Sequence, residues 1–264
     1  MKLALLALLL LPALARPMDV RVAGNELHLR GQLFGTEFGA FRSALAEHPE
    51  IDTVVLRDSP GGEGATAFRI GEHIRDVGLR TVVAGRCYSA CTLMFLGGKE
   101  RHFARSTHPE AVYLAFHGAF VENVFDPNAG SPYGRSQVRA WIIERTGGKI
   151  DRELLDRFLR GERRAALLYA FDPLQFKLDY GFSLYYCDGT EPGGAPPYQE
   201  CEKLAGRDAL SLGFVNAEER VRVRPSSALP PPYKSKHEPY RWPVDGTSDQ
   251  ETSARVPASA PPGR

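Results

Sequence analysis

The sequence has little charge bias and few cysteines. Its 33 lysines and arginines balance 32 aspartates and glutamates, which leaves a net charge of +1. A chain without a basic excess does not neutralise phosphates well, which argues against a dedicated nucleic-acid binder or a polybasic membrane adaptor. Four cysteines in 264 residues are too few for a disulfide scaffold. The composition, 43% apolar and 25% charged, is that of an ordinary globular protein with one sizeable core or two small ones.

Long apolar runs are also missing, apart from one at the amino terminus. Residues 1–15, MKLALLALLLLPALA, combine a cation at Lys2, an apolar run and an A-x-A pattern. These features predict a cleaved secretory signal peptide. The run is shorter than the ~20 residues that a membrane-spanning helix needs, so an uncleaved signal that anchors the protein is the alternative. We therefore expect a periplasmic or secreted protein.

The carboxyl-terminal segment differs in composition from the rest of the chain. Residues 225–264 hold nine of the 20 prolines and contain no Ile, Met, Phe or Cys. A segment of this kind buries too little apolar surface to order itself, so we expect a Pro-rich disordered tail. Residues 16–224 are expected to form one α/β domain, because short β-rich runs alternate there with helical patterns.

Export would place the cysteines in an oxidising compartment, where thiols pair. Cys187 and Cys201 bracket a stretch rich in Gly and Pro, and a disulfide between them would pin a long surface loop. Cys87 and Cys91 are four residues apart, and a regular helix would hold their Cβ atoms ~5–6 Å apart, too far for a disulfide. They pair only if Cys87 precedes the helix; otherwise both pack as small apolar side chains. The spacing matches no usual zinc site.

The most informative region of the sequence is a pair of strand–turn–helix units. Residues 51–56 (IDTVVL) predict a strand that ends in the turn RDSPGG, and the apolar spacing that follows predicts a helix that stops at Gly78. Residues 80–85 (RTVVAG) predict the next strand, RCYS a turn, and residues 90–98 (ACTLMFLGG) a short helix. Residues 111–117 (AVYLAFH) predict a third strand that ends on His117.

These units would bring one set of reactive groups to the carboxyl ends of parallel strands, where open α/β sheets carry their sites. Ser89 would lie at a helix start, and the backbone N–H groups of Gly61, Gly62 and Ala90 are donors suited to an oxyanion. A serine hydroxyl needs a base to take its proton. His117 supplies a neutral imidazole at a strand end.

Three motifs in this order resemble the Clp protease proteolytic subunit family and its exported relatives, within the wider crotonase fold. The motifs are DSPGG, GRCYSACTLMFLGGKERHFA and AVYLAFHGAF. The resemblance implies a serine peptidase with Ser89 as nucleophile, His117 as base, and Gly61 or Gly62 with Ala90 as oxyanion donors. It covers residues 27–125 and, more loosely, residues 203–216 (KLAGRDALSLGFVN), which look like the family's closing helix and strand.

The third catalytic residue of the family, an aspartate past the histidine, has no motif to select it here. The candidates are Asp151, Asp156, Asp172 and Asp179, and of these we favour Asp172. Lys99 is an alternative base, although a lysine in the charged stretch GGKERH is typical of a solvated loop. His73, His102 and His108 are expected at the surface.

The sequence thus predicts an exported serine peptidase that acts through an acyl-enzyme and uses no cofactor or metal. A catalytically silent protein of the same fold that binds a peptide or protein partner is the main alternative, and acyl-CoA chemistry as in crotonases is a third. The expected substrates are peptides or unfolded proteins. The chain has no ATP-binding motif, so no ATPase partner is expected; the resemblance allows a homo-oligomer.

Overall fold

The computed structural model describes residues 17–118, 135–159, 166–188 and 198–224. The predicted signal peptide (residues 1–15) and the predicted tail (225–264) lie outside these ranges. The chain divides into two units, Met1–Val223 and Arg224–Arg264. All the strands and helices of the described residues belong to the first unit.

The described residues form two five-stranded sheets with helices packed on them. The strands are β1 (Asp19–Ala23), β2 (Glu26–Arg30), β3 (Thr53–Arg57), β4 (Arg80–Val83), β5 (Arg86–Tyr88), β6 (Arg101–Phe103), β7 (Tyr113–Phe116), β8 (Leu167–Phe171), β9 (Leu184–Cys187) and β10 (Glu202–Lys203). The helices are α1 (Glu37–Glu47), α2 (Gly64–Val77), α3 (Cys91–Leu96), α4 (Arg135–Arg145), α5 (Arg152–Leu159) and α6 (Gln175–Tyr180). Short 3-10 turns occur at Pro109–Ala111 and Tyr198–Glu200.

The first sheet is parallel except at one edge, and the second is mostly antiparallel. The first has the order β1-β2-β3-β4-β6, in which only β1 pairs antiparallel. The second has the order β10-β9-β8-β7-β5, in which only β5 and β7 run parallel. The predicted α/β class with a parallel sheet is confirmed, while the return strands β8 to β10 add an antiparallel half that the sequence pattern did not predict.

The unit formed by β3 and α2 follows the sequence closely. The strand is buried along four of its five residues. The carboxylate of Glu63 accepts hydrogen bonds from the N–H groups of Ala65 at 2.9 Å and Thr66 at 2.6 Å, which satisfies donors that a helix start leaves unpaired. The helix ends at Gly78, which has a left-handed conformation, as the sequence predicts.

The chain leaves the first sheet between β4 and β5. Residues 80–85 look like one strand in the sequence, but β4 ends at Val83, and the expected turn RCYS instead contains β5. Gly85 lies between the two strands, where a Cβ would be 2.7 Å from a carboxylate oxygen and 3.1 Å from the backbone N of Asp58. The chain therefore enters the second sheet just before Ser89.

The main core lies between one face of both sheets and the helices. It contains the apolar residues of β2, β3 and β4 together with those of α2, α3, α4 and α5. A second cluster, rich in Tyr and Phe, covers the other face of the second sheet and packs against Phe176 of α6. On this side the disulfide Cys187–Cys201 joins the last residue of β9 to the residue before β10, and this is the pairing that the sequence predicts.

One buried arginine joins the end of α3 to two later parts of the chain. Arg101 is 4% exposed. Its guanidinium donates to the carbonyl oxygens of Phe214 (2.8 Å), Gly98 (2.9 Å), Arg145 (2.8 Å) and Gly213 (3.0 Å). Burial lowers the pKa of Arg101 to about 10, so the group stays charged at neutral pH and all its bonds are charge-assisted.

Two expectations for this part of the chain are wrong. Residues 203–216 form no closing helix and strand; after β10 they make turns, with Asp208 accepting from the N–H groups of Leu210 (3.1 Å) and Ser211 (2.8 Å). Such local side-chain bonds compete with a regular helix. His102 is also not at the surface: it is buried on β6, where Nδ1 contacts the carbonyl of Glu219 at 2.8 Å.

Candidate functional site

The first part of the candidate site is the turn Ser59-Pro60-Gly61-Gly62 after β3. Ser59 is held against β5: its N–H donates to Arg86 O at 2.9 Å, and its carbonyl accepts from Tyr88 N at 3.0 Å. On the other side, Leu33 N donates to Gly61 O at 2.8 Å, and Glu63 N donates to Leu33 O at 3.1 Å. The glycine turn is therefore held by hydrogen bonds on both sides.

The second part is the turn that carries Ser89. Ser89 follows β5 directly and has a φ of +58°, the left-handed region that a residue with a side chain seldom occupies. Its N–H donates to Ala115 O of β7 at 2.9 Å, and its carbonyl accepts from the N–H and hydroxyl of Thr92 at 2.9 and 2.7 Å. Strained backbone of this kind clusters at functional sites, held by surrounding contacts.

The two turns touch at Gly61 and Ser89. Gly61 has a φ of +86°, and a Cβ there would lie 2.6 Å from Ser89 Cβ, 2.7 Å from Tyr88 O and 2.8 Å from Ala90 N. No side chain fits in this space. The glycine is therefore needed to let the backbone approach the serine.

This contact predicts that Gly61→Ala lowers the reactivity of Ser89 at least tenfold, since the new methyl group displaces the serine turn or the glycine turn. The matched control is Gly64→Ala, because Gly64 begins α2 and a Cβ there meets nothing within 4 Å. Labelling by a fluorophosphonate, a reagent for activated serines, measures the effect. Equal rates for the two variants would contradict the close approach.

Two backbone N–H groups at this contact suit an oxyanion. In the described part of the chain, no group accepts a hydrogen bond from the N–H of Gly62 or of Ala90. The N–H of Gly61 differs, because it donates to the hydroxyl of Ser59 at 3.2 Å. Of the two glycines that the sequence offers as donors, the geometry favours Gly62, whose backbone is exposed.

His117 follows β7 at the same end of the second sheet. Because β5 and β7 pair in parallel with Tyr88 opposite Ala115, residues that follow these strands by one or two positions lie side by side. The ring of Tyr88 packs against the imidazole with 5.2 Å between centroids. The structure thus brings Ser89 and His117 to neighbouring strand ends, although no hydrogen bond joins their side chains among the contacts of the described residues.

The imidazole of His117 is in the form that a base requires. Its Nδ1 is hydrogen-bonded to the carbonyl of Gly118. A carbonyl only accepts, so Nδ1 carries the hydrogen and Nε2 presents a lone pair. Burial lowers the pKa of His117 to about 4, against a smaller opposing effect of the Gly118 carbonyl. The ring is therefore neutral at neutral pH.

A disulfide encloses the serine turn. Cys87 lies in β5 and Cys91 is the first residue of α3, so the pair meets the condition that Cys87 precede the helix. The two are bonded, with a Cα–Cα distance of 5.2 Å. Both cysteines are fully buried in the main core.

Asp172 is not brought to His117. It follows β8, which runs antiparallel to β7 with Tyr113 opposite Phe171. Asp172 therefore lies beyond the start of β7, while His117 lies beyond its end, five residues or roughly 16 Å away along the strand. Its carboxylate accepts from Leu174 N at 2.8 Å and approaches Arg220 at 3.7 Å, which is a structural role.

The other alternative residues also have roles elsewhere. Asp151 accepts from the first turn of α5 and pairs with Arg207 at 2.8 Å, and Asp156 pairs with Arg139 at 2.9 Å. Lys99 is exposed beyond the far end of α3.

In the described ranges, no group of three or more His, Cys, Asp or Glu is placed to hold a metal ion. The same ranges contain no helix with the length and hydrophobicity to cross a membrane.

Sequence reasoning missed the residues that hold Ser89, His117 and the glycine turn in place. Tyr88 packs on His117, and Thr92 binds the carbonyl of Ser89 with both its N–H and its hydroxyl. Leu33 anchors the glycine turn. Thr92 carried a usable signal, because a threonine three residues after a turn serine can bond back to that residue. Tyr88 and Leu33 carried none, since their roles depend on which strands pair.

Comparison with known proteins finds structural neighbours of low identity. No protein-family model matches the chain, and no curated protein matches it. ClpP1 from Listeria monocytogenes is 15% identical with a TM-score of 0.44, over 76% of this chain and 93% of that one. The 1510-N membrane-bound stomatin-specific protease is 15% identical with a TM-score of 0.37, over 52% and 71%. A methylmalonyl CoA decarboxylase is 13% identical with a TM-score of 0.38, over 62% and 66%.

Proposed function

We propose that this protein is an exported serine peptidase that cleaves peptides through an acyl-enzyme on Ser89. One observation carries the proposal: a serine in a left-handed turn lies against Gly61, and the N–H groups of the next residue of each turn, Gly62 and Ala90, have no acceptor among the described residues. A strained nucleophile beside fixed donors is what acyl transfer needs. A serine that only caps a helix needs neither.

The proposed reaction begins with attack of Ser89 Oγ on the carbonyl carbon of a peptide bond. His117 Nε2 takes the hydroxyl proton as the C–O bond forms. The carbonyl π electrons move to oxygen, and the N–H groups of Gly62 and Ala90 stabilise the charge, by about 3 kcal/mol for each donor. Collapse breaks the C–N bond, and the amine leaves with the proton from His117. Water then hydrolyses the ester by the same steps.

Two groups help to orient His117 in this scheme. The carbonyl of Gly118 fixes the tautomer, and the ring of Tyr88 packs on one side of the imidazole. Burial raises the pKa of Tyr88 to about 12, so this phenol is neutral and acts by packing. Asp172 is not part of the proposal.

The proposed substrates are short peptides or unfolded segments, because the chain has no ATP-binding motif with which to unfold a folded protein. Two disulfides among the described residues are typical of an oxidising compartment. This supports a periplasmic or secreted location. A homo-oligomer remains part of the proposal only as an expectation from the family resemblance.

Fluorophosphonate labelling of the purified wild-type protein tests the proposal. We expect one phosphonate adduct, located at Ser89 by peptide mapping, and release of amine from unfolded casein or a peptide library. A protein that is folded, fails to label and still binds peptide would support the alternative of a catalytically silent binding protein.

The pH dependence of labelling gives a second test. Because burial lowers the pKa of His117 to about 4, the imidazole accepts a proton from Ser89 over most of the acidic range. We expect the rate to be constant from about pH 5.5 to 8 and to fall as pH decreases through about 4, rather than through the ordinary value near 6.5. Circular dichroism at each pH serves as the control for folding. A midpoint near 6.5 would show that the imidazole titrates as a solvated group.

A further inference from the structure

The disulfide Cys87–Cys91 encloses the residue proposed as nucleophile. The bond joins the second residue of β5 to the first residue of α3, and only Tyr88, Ser89 and Ala90 lie between. Both sulfur-bearing side chains face the main core, where their exposure is zero. Ser89 and Tyr88 are partly exposed on the other side of the turn. The bond therefore constrains the buried side of the turn, and Ser89 itself stays partly exposed.

The bond excludes a competing conformation of the same residues. A regular helix that extended α3 backward through residues 87–91 would hold the two Cβ atoms ~5–6 Å apart, whereas a disulfide requires ~3.5–4.5 Å. In that helix Ser89 would adopt the ordinary right-handed conformation. The observed φ of +58° at Ser89 is costly for a residue with a side chain, so something must hold the turn against this alternative.

The bonds that Thr92 makes to Ser89 do not distinguish the two conformations. The bonds from Thr92 to the carbonyl of Ser89 have the i to i+3 form that a helix start also accommodates. The bonds from Ser89 N to Ala115 O and from Tyr88 N to Ser59 O hold the start of the turn in its extended form, and the disulfide adds a covalent constraint on the other side of Ser89. Ser89 has little room to move towards the glycine turn, because Gly61 already lies against Ser89 Cβ and Ala90 N.

We propose that the Cys87–Cys91 disulfide is a positioning element that holds Ser89 in its reactive conformation, so that activity requires the oxidised form. This inference rests on the proposed peptidase function. A dithiol reductant would transfer two electrons and two protons to the bond, leaving two protein thiols and its own cyclic disulfide. The turn would then be free to relax, and Ser89 would lose its alignment with the donors and with His117.

The second disulfide provides a matched control in the same chain. Cys187–Cys201 spans 14 residues in sequence, against 4 for Cys87–Cys91, so its loss should destabilise the fold more. It ends β9, two strands away from β7. We therefore compare Cys87→Ala/Cys91→Ala with Cys187→Ala/Cys201→Ala. Alanine keeps both buried positions apolar.

The measured quantities are the fluorophosphonate labelling rate constant, the labelled fraction and the melting temperature. We expect the Cys87→Ala/Cys91→Ala variant to label at least tenfold more slowly with a small decrease in melting temperature. The control variant should label at the wild-type rate with a larger decrease. A disulfide that only supported the fold would lower the labelled fraction in proportion to unfolding and leave the rate constant of the folded protein unchanged.

Reversible reduction covers the case in which the first variant does not fold. In the Cys187→Ala/Cys201→Ala protein, Cys87–Cys91 is the one remaining disulfide. Dithiothreitol should slow its labelling at least tenfold while far-UV circular dichroism is retained, and removal of the reductant in air should restore the rate. An unchanged rate constant after complete reduction, verified by thiol titration, would overturn the positioning role. Absence of labelling in the untreated wild-type protein would overturn the peptidase function itself.

Discussion

Ser89→Ala is expected to abolish fluorophosphonate labelling and to lower peptide hydrolysis by a factor on the order of 10³ or more, the scale seen when a serine nucleophile is removed. The hydroxyl is the atom that forms the bond, and the donors at Gly62 and Ala90 cannot substitute for it. The free energy of unfolding should change by no more than about 1 kcal/mol, and the melting temperature by little, because Ser89 is partly exposed and loses a single oxygen atom.

Two further variants complete this experiment. Ser43→Ala, on the exposed face of α1, is the matched control and should label at the wild-type rate. His117→Ala should also lose labelling, since the proton of Ser89 then has no acceptor. Labelling of the Ser89→Ala protein at the wild-type rate would remove Ser89 from the chemistry and assign the adduct to another residue.

Arg101→Met is expected to destabilise the protein by about 3–5 kcal/mol, because buried carbonyl groups that lose their donor cost about 1–3 kcal/mol each. The guanidinium serves four carbonyls, among them those of Gly98 and Phe214, and Met fills a similar volume without replacing any bond. For a unit of this size the melting temperature should fall by about 10 °C. Thermal unfolding followed by circular dichroism measures it.

Arg105→Met is the control for this substitution. Arg105 is exposed two residues after β6 and makes one 3.2 Å bond to the carbonyl of Arg220, so its loss should cost no more than about 0.5 kcal/mol. Arg101→Lys should recover only part of the stability, because an ammonium lacks the planar fork that reaches carbonyls in several directions. Equal melting temperatures for Arg101→Met and Arg105→Met would show that the buried bonds contribute nothing net.

Local patterns in the sequence predicted the elements whose causes are local. The unit of β3, glycine turn and α2 follows from a β-branched run, the residues PGG and a helical repeat that ends at Gly78, and the structure has each of them. The strand before His117 and the short helix after Ser89 follow for the same reason. The Cys187–Cys201 disulfide could also be predicted from the sequence, since the two cysteines bracket a stretch rich in Gly and Pro.

The parts that failed depend on contacts between distant residues. Residues 80–88 have no local signal for a change of sheet, because the pairing of β5 is with β7, whose sequence lies more than 20 residues later. The expected role of Asp172 depended on the direction of β8. Because β8 pairs antiparallel with β7, Asp172 lies near the start of β7, whereas His117 follows its end. His102 has the composition of a surface loop around it, yet the carbonyl of Glu219 and the neighbouring strand bury it.

The sequence positions of the groups that Arg101 binds determine when these hydrogen bonds can form during protein synthesis. The acceptor at Phe214 lies 113 residues later in the sequence than Arg101, whereas every contact between the glycine turn, Ser89 and His117 involves residues before 119. At roughly 5–20 residues per second, a ribosome needs on the order of 10 seconds to pass from one residue to the other. During that interval only some of the carbonyls that Arg101 binds have been synthesised. A nascent chain of about 120 residues already contains every residue of the candidate site but lacks Gly213 and Phe214, which accept from the buried guanidinium.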